Sequence, residues 1–169
     1  MKITRGRAIE MYRVLGSMAL AKMEDSTLEI TLTNISALRQ VSEDFDALAK
    51  ELFKRLYGDG EKMTDAEKAK INAFFQMLAK VNDAETEEAC KKAYPELYDL
   101  RVKEVKALRL LQEKDVEIAL ECVDEKAFMS GILKSNDQTK IHEIRAIFAP
   151  LFEKQVKKTD LSELDELLK

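Results

Sequence analysis

"EKDVEIALECVDEKAF", residues 113–128, departs from the rest of the chain, which repeats at the spacing of a helix. Val116, Ile118, Leu120 and Cys122 alternate with Glu117, Ala119 and Glu121, the period of two that marks a half-buried strand. A lone strand leaves its backbone amides and carbonyls without partners, so residues 115–123 need a second extended segment. Three partners are open: "TLEITL" at residues 27–32, where Leu28, Ile30 and Leu32 also alternate; a short stretch near the N-terminus; or the same strand of a second copy. The first is preferred. The fold expected from this pattern is mainly α (α+β): a single-domain helical bundle of about six to seven helices with a small two-stranded β ribbon. The domain is read as residues 1–158, followed by an acidic amphipathic helix or tail at 159–169.

Composition supports a mainly helical chain. The 169 residues include only 5 Gly and 2 Pro, no Trp, and 46% hydrophobic side chains, enough for one buried core. The 28 basic and 32 acidic residues leave a net charge of −4, so no global field attracts nucleic acid or an anionic membrane. The 2 cysteines, Cys90 and Cys122, stand apart without a CxxC spacing and read as reduced thiols. The opening "MKITRGRAIEMYRVLG" has charges throughout and no long apolar core, so it does not read as a signal peptide. No apolar run approaches the roughly 20 residues that span a bilayer, and the expected location is cytoplasmic, without membrane attachment.

The helices carry their own punctuation. A first helix over about residues 5–22 follows Thr4 as cap, with Ala8, Met11, Tyr12, Leu15 and Met18 on one face. Leu38, Val41, Phe45, Leu48, Leu52 and Leu56 mark the clearest helix, and Gly58 supplies its left-handed stop. "TDAE" at 64–67 is a capping box, followed by the stripe Ile71, Phe74, Phe75, Leu78 and Val81. A helix from about Thr86 must break at Pro95, where another begins, carrying Leu97, Leu100, Val105, Leu108 and Leu111 inward. A short helix then ends near Gly131, "KSNDQ" turns, and Ile141, Ile144, Ile147 and Phe148 form a last helix before Pro150.

Chemistry-bearing motifs are sparse. His142, the single histidine, lies in "TKIHEIRAIF" with no nucleophile motif beside it, and reads as a surface or boundary residue. Glu43, Asp44 and Asp46, and the group Asp83, Glu85, Glu87 and Glu88, match neither a Glu-x-x-His pair nor a calcium loop. Neither GxxxxGK[ST] nor GxGxxG occurs. No catalytic residue, cofactor or metal is therefore expected. Two surfaces remain as candidates for binding a partner. Lys103, Lys106 and Arg109 repeat at i, i+3 and i+6 on one helix, as Arg5, Arg7 and Arg13 cluster near the start, but without the interleaved aromatics or basic excess usual in nucleic-acid binders, so a solvated face is the preferred reading of both. In the tail, Leu161, Leu164, Leu167 and Leu168 give an acidic helix one apolar edge, suited to docking on its own domain or in a partner's groove.

The order of elements carries a resemblance. A short first helix, a linker, a long helix closing on "LYG", a helix running into "LLQEKDVEIALECVDEKAF", and then "IRAIFAPLF" resemble small, mostly uncharacterised helical proteins encoded by tailed phages and prophages. The likeness covers roughly residues 5–58 and 100–152, with 60–95 resembling an insertion. It implies a viral origin and supplies no catalytic residues. The expected function is a non-enzymatic interaction module with a protein partner, acting through a helical surface, the strand edge or the tail, and able to form a homo-oligomer. The alternative is an inhibitor of a bacterial defence system, binding an effector nuclease or its guide RNA through the stripe at Lys103 to Arg109. A small enzyme built from scattered carboxylates is the third class, and RNA is the less favoured partner.

Overall fold

The alternating stretch finds its partner at the N-terminus. A computed structural model describes residues 1–18, 20–133 and 141–152. In it β1 (Lys2–Thr4) pairs antiparallel with β2 (Asp115–Glu117), Ile3 opposite Val116. One further pair extends the ladder, because the Met1 ammonium donates to the Ile118 carbonyl at 2.7 Å and the Ile118 amide to the Met1 carbonyl at 2.9 Å. Beyond Ile118 the chain runs to Asp124 without regular secondary structure, and other groups take over its backbone. The side-chain amide of Asn34 donates to the Glu121 carbonyl at 2.9 Å, while its oxygen accepts the Glu121 amide at 2.8 Å. Val123 donates to the Leu151 carbonyl at 2.8 Å and forms a parallel bridge with Phe152. The expected ribbon is therefore present, but its strand is shorter than 115–123 and its partner is not 27–32.

Residues 27–32 are helical instead. Among the described residues, the seven α-helices are α1 (Arg5–Gly16), α2 (Asp25–Tyr57), α3 (Asp65–Leu78), α4 (Ala84–Ala93), α5 (Pro95–Glu113), α6 (Glu125–Leu133) and α7 (Ile141–Phe148). The buried residues of α2 are Thr27, Thr31, Asn34, Leu38, Ser42, Phe45 and, at its end, Tyr57; the first six form a stripe at spacings of three and four whose first half is polar. Thr31 makes this tolerable by donating its hydroxyl to the Thr27 carbonyl one turn back, at 2.7 Å. Leu32, which belonged to the supposed strand face, is 51% exposed.

The other boundaries follow from local chemistry. Helix α1 stops at Gly16 rather than continuing to Lys22, because the Ser17 hydroxyl donates to the Val14 carbonyl and a short 3-10 turn, Leu20–Lys22, follows. Thr4 caps α1, accepting the Arg7 amide at 3.3 Å. Gly58 adopts φ 100° just past α2, a conformation that an L side chain resists. Thr64 and Glu67 complete the capping box of α3, and Asp83 with Thr86 makes a second one for α4. Pro95 begins α5, where its missing amide costs no helical bond. The turn "KSNDQ" and the tail with Leu161, Leu164, Leu167 and Leu168 lie outside the described residues.

Contacts within the chain fall into two compact units. One comprises Met1–Tyr12 and Ala37–Ile118. Its aromatic core joins Tyr57, Phe74, Cys90 and Leu97, with the Phe74 ring 5.1 Å from Phe75 and 5.8 Å from Tyr94. The other comprises Arg13–Ser36 and the chain from Ala119 onward. There Phe128 lies 5.0 Å from Phe148 and 5.8 Å from Phe152. Gly131 is required in this unit because a side-chain carbon at its position would stand 2.6 Å from Met23 Cγ and 3.3 Å from its Cα. No helix among the described residues is long and apolar enough to cross a membrane.

Candidate functional site: the outer face of α5

Helix α5 has two faces of different kinds. Leu97 and Glu104 are buried, seven residues and nearly two turns apart, with Leu100, Arg101, Leu108 and Leu111 half-buried around the same side. Glu104 is held by two partners. The Tyr57 hydroxyl donates to Glu104 Oε2 at 3.0 Å, and Arg101 donates to the same oxygen at 2.8 Å. A carboxylate on a buried helix face is costly unless it is paired and hydrogen-bonded, and here it is both. The result ties α5 to the end of α2 and fixes the rotation of α5 about its own axis.

That rotation places Val105 outward. The sequence pattern assigns Val105 to the core; in the structure it is 49% exposed and the neighbouring Glu104 takes the inner position. Val102 and Leu110 are 54% and 53% exposed on the same outer side. Lys103, Lys106 and Arg109 are exposed too, but at 100° per residue they sweep an arc of about 120° rather than a single line. The outer face is thus mixed, with three large apolar side chains set among three cations. Arg109 pairs with Glu113 at 2.9 Å, whereas no carboxylate lies within ion-pair distance of Lys103 or Lys106 among the described residues. An exposed i,i+4 pair of this kind contributes little to stability.

Sequence reasoning found the cations and missed Val102, Val105 and Leu110. Spacing alone gave no signal of this, because Glu104, seven residues after Leu97, takes an inward position that a hydrophobic pattern does not count. Of the other candidates, Leu161, Leu164 and Leu168 lie outside the described residues.

Several of the remaining chemistry-bearing groups serve the structure. Asp83 accepts the Thr86 amide at 2.8 Å, which holds its carboxyl below the usual carboxylate range. Glu67 is held low in the same way by the Thr64 amide. Cys90 is fully buried, and burial pushes its thiol up, away from the reactive thiolate; Cys122 is exposed. His142 is exposed. No three His, Cys, Asp or Glu side chains converge as metal ligands among the described residues.

The Tyr57–Glu104 pair has a titration signature. Burial, reinforced by the adjoining carboxylate, lifts the Tyr57 hydroxyl well above its ordinary value of 10.0. A raised folded-state value means that the folded chain retains a proton which the unfolded chain releases. The associated stability is complete below pH 10.0 and declines as pH rises from there towards the folded-state value. Tyr98 contributes a smaller effect of the same sign, since its hydroxyl donates to Glu87. Denaturant midpoints measured from pH 8 to 12 should therefore fall at the alkaline end. Tyr57→Phe should flatten most of that decline, and an unchanged slope would show that Tyr57 is not the group responsible.

Comparison of the chain with family models, with curated proteins and with solved structures finds no match.

Proposed function

We propose that this protein is a non-enzymatic interaction module whose helical surface docks a protein partner through the outer face of α5. The observation that supports the reading most is the exposure of Val102, Val105 and Leu110 on one rigidly held helix, among Lys103, Lys106 and Arg109. Exposed apolar residues scattered singly need no explanation, but several gathered on one face with charges between them form the usual pattern of a recognition surface. The apolar groups would supply burial and the unpaired lysines would select an acidic rim on the partner. The resemblance to phage and prophage proteins makes a bacterial protein the natural partner class, with a cytoplasmic meeting place.

A second reading has its own support. Lys103 and Lys106, with no carboxylate brought to them, would also suit a defence-system inhibitor that binds an effector nuclease or its guide RNA. The interleaved valines and leucine favour protein over RNA, because a phosphate backbone gains nothing from them.

Affinity capture from a bacterial lysate, comparing the intact chain with a Val105→Glu/Lys106→Glu/Leu110→Glu variant, separates these readings. All three side chains are exposed, so the variant should fold normally by circular dichroism. The proposal expects a protein that survives nuclease treatment and is lost with the variant. Retention of every captured protein by the variant would overturn it, and capture abolished by nuclease would move the function to the RNA-directed alternative.

A further inference from the structure

A different part of the same unit carries a concavity. Two adjoining hollows of about 380 and 370 Å³ lie at the turn between α2 and α3. Gly58, Asp59, Met63 and Ile71 line both, so Met63 and Ile71 form a wall common to the two. Tyr57 and Leu97 close the first on its apolar side, and Phe53 closes the second. The Met63 methyl lies against Gly58, 2.8 Å from where a side-chain carbon there would begin. Methionine is the residue best able to shift and adapt such a wall to an occupant.

The charged groups around the hollows do not cancel. Lys54, Lys62, Lys68 and Lys70 line them, against the carboxylates of Asp59 and Glu67. Asp59 is already paired with Lys54 at 2.8 Å, and that ammonium holds its carboxyl below the usual range. Glu67 is engaged in capping α3, accepting from the Thr64 amide at 2.8 Å and its hydroxyl at 2.9 Å. Lys70 reaches Glu96 only at 3.9 Å, with both side chains largely exposed. Lys62 and Lys68 have no carboxylate within ion-pair distance among the described residues. The hollows are open and their lining mixes apolar side chains with charged ones, the sizes falling within the common range of small-molecule sites.

We propose that these hollows bind a small amphipathic carboxylate, its hydrocarbon body against Met63, Ile71 and Leu97 and its carboxylate between Lys62 and Lys70. The apolar wall supplies most of the affinity and the lysines select the charge. The site is separate from the outer face of α5, and neither proposal depends on the other.

Decanoate titrated into the full chain, below its micelle concentration, tests the site, with 1-decanol as the neutral probe of equal length. Methyl NMR should show saturable shifts at Met63 and Ile71. Decanol should bind about ten-fold more weakly, as should decanoate to a Lys62→Glu/Lys70→Glu variant, the loss of two solvent-exposed charge contacts. Both lysines are exposed, so the variant's spectrum away from the hollows should match that of the parent chain. Absence of saturation up to about 1 mM would overturn the proposal. So would equal binding of decanol and decanoate, or binding indifferent to the charge reversal, either of which would reduce the hollows to an apolar patch.

Discussion

Asn34→Ala is expected to lower the unfolding free energy by about 2–4 kcal/mol, measured as a shift in denaturant midpoint at constant slope. Asn34 is 1% exposed, and among the described residues its side-chain amide is the partner of both the backbone amide and the backbone carbonyl of Glu121. Alanine removes a donor and an acceptor together and leaves two backbone groups of this segment unpaired. Its better helix propensity returns only about 0.5 kcal/mol. Asn34→Asp should be no rescue, because the acceptor for the Glu121 amide survives while the carbonyl loses its donor and faces a charge. A loss below about 0.5 kcal/mol in the alanine variant would mean that water serves Glu121 equally well.

Phe74→Ala should cost more, about 3–5 kcal/mol, as is usual for emptying a phenylalanine site in a closed core. Phe74 is fully buried at the centre of the cluster of Tyr57, Cys90 and Leu97, with its ring against Phe75 and Tyr94. The groups around it come from α2, α3, α4 and α5, so collapse of one helix alone cannot fill the space. Phe74→Leu, which keeps most of the volume, should lose less than half as much. Similar losses for the two variants would show that the ring's shape, rather than the cavity, sets the cost. Phe74 and Asn34 belong to different compact units, and the two substitutions report on each separately.

How legible these features are in the sequence depends on what kind of residue carries each one. Helices with capping boxes, at Thr64, and with a proline start, at Pro95, could be placed closely because their end signals act locally. The first turns of α2 could not. Their buried stripe runs through Thr27, Thr31 and Asn34, residues that a hydrophobic pattern does not count, and the alternation of Leu28, Ile30 and Leu32 imitated a strand. The partner of β2 was illegible for another reason. Strand β1 is three residues long and shows too little alternation to be recognised, and its pairing spans more than a hundred positions. The need for a partner could be deduced from backbone accounting, but not which segment would meet it.

The candidate surface divides in the same way. Cations at Lys103, Lys106 and Arg109 are visible as a spacing, whereas the exposure of Val102, Val105 and Leu110 follows from where Glu104 points. A buried glutamate is rare enough that helical spacing alone assigns its neighbour Val105 to the core. Only the hydroxyl of Tyr57, 47 positions away, reveals the reversal.

The docking role of α5 can be checked by site-specific photo-crosslinking in bacterial cells, with the reactive side chain placed at Val105 in one chain and, as control, at the equally exposed Leu32 in another. The account predicts a discrete protein adduct from position 105 and none of the same mass from position 32. Adducts of identical pattern from both positions, or an adduct from position 105 that nuclease digests, would contradict the assignment of α5's outer face as a protein-docking surface.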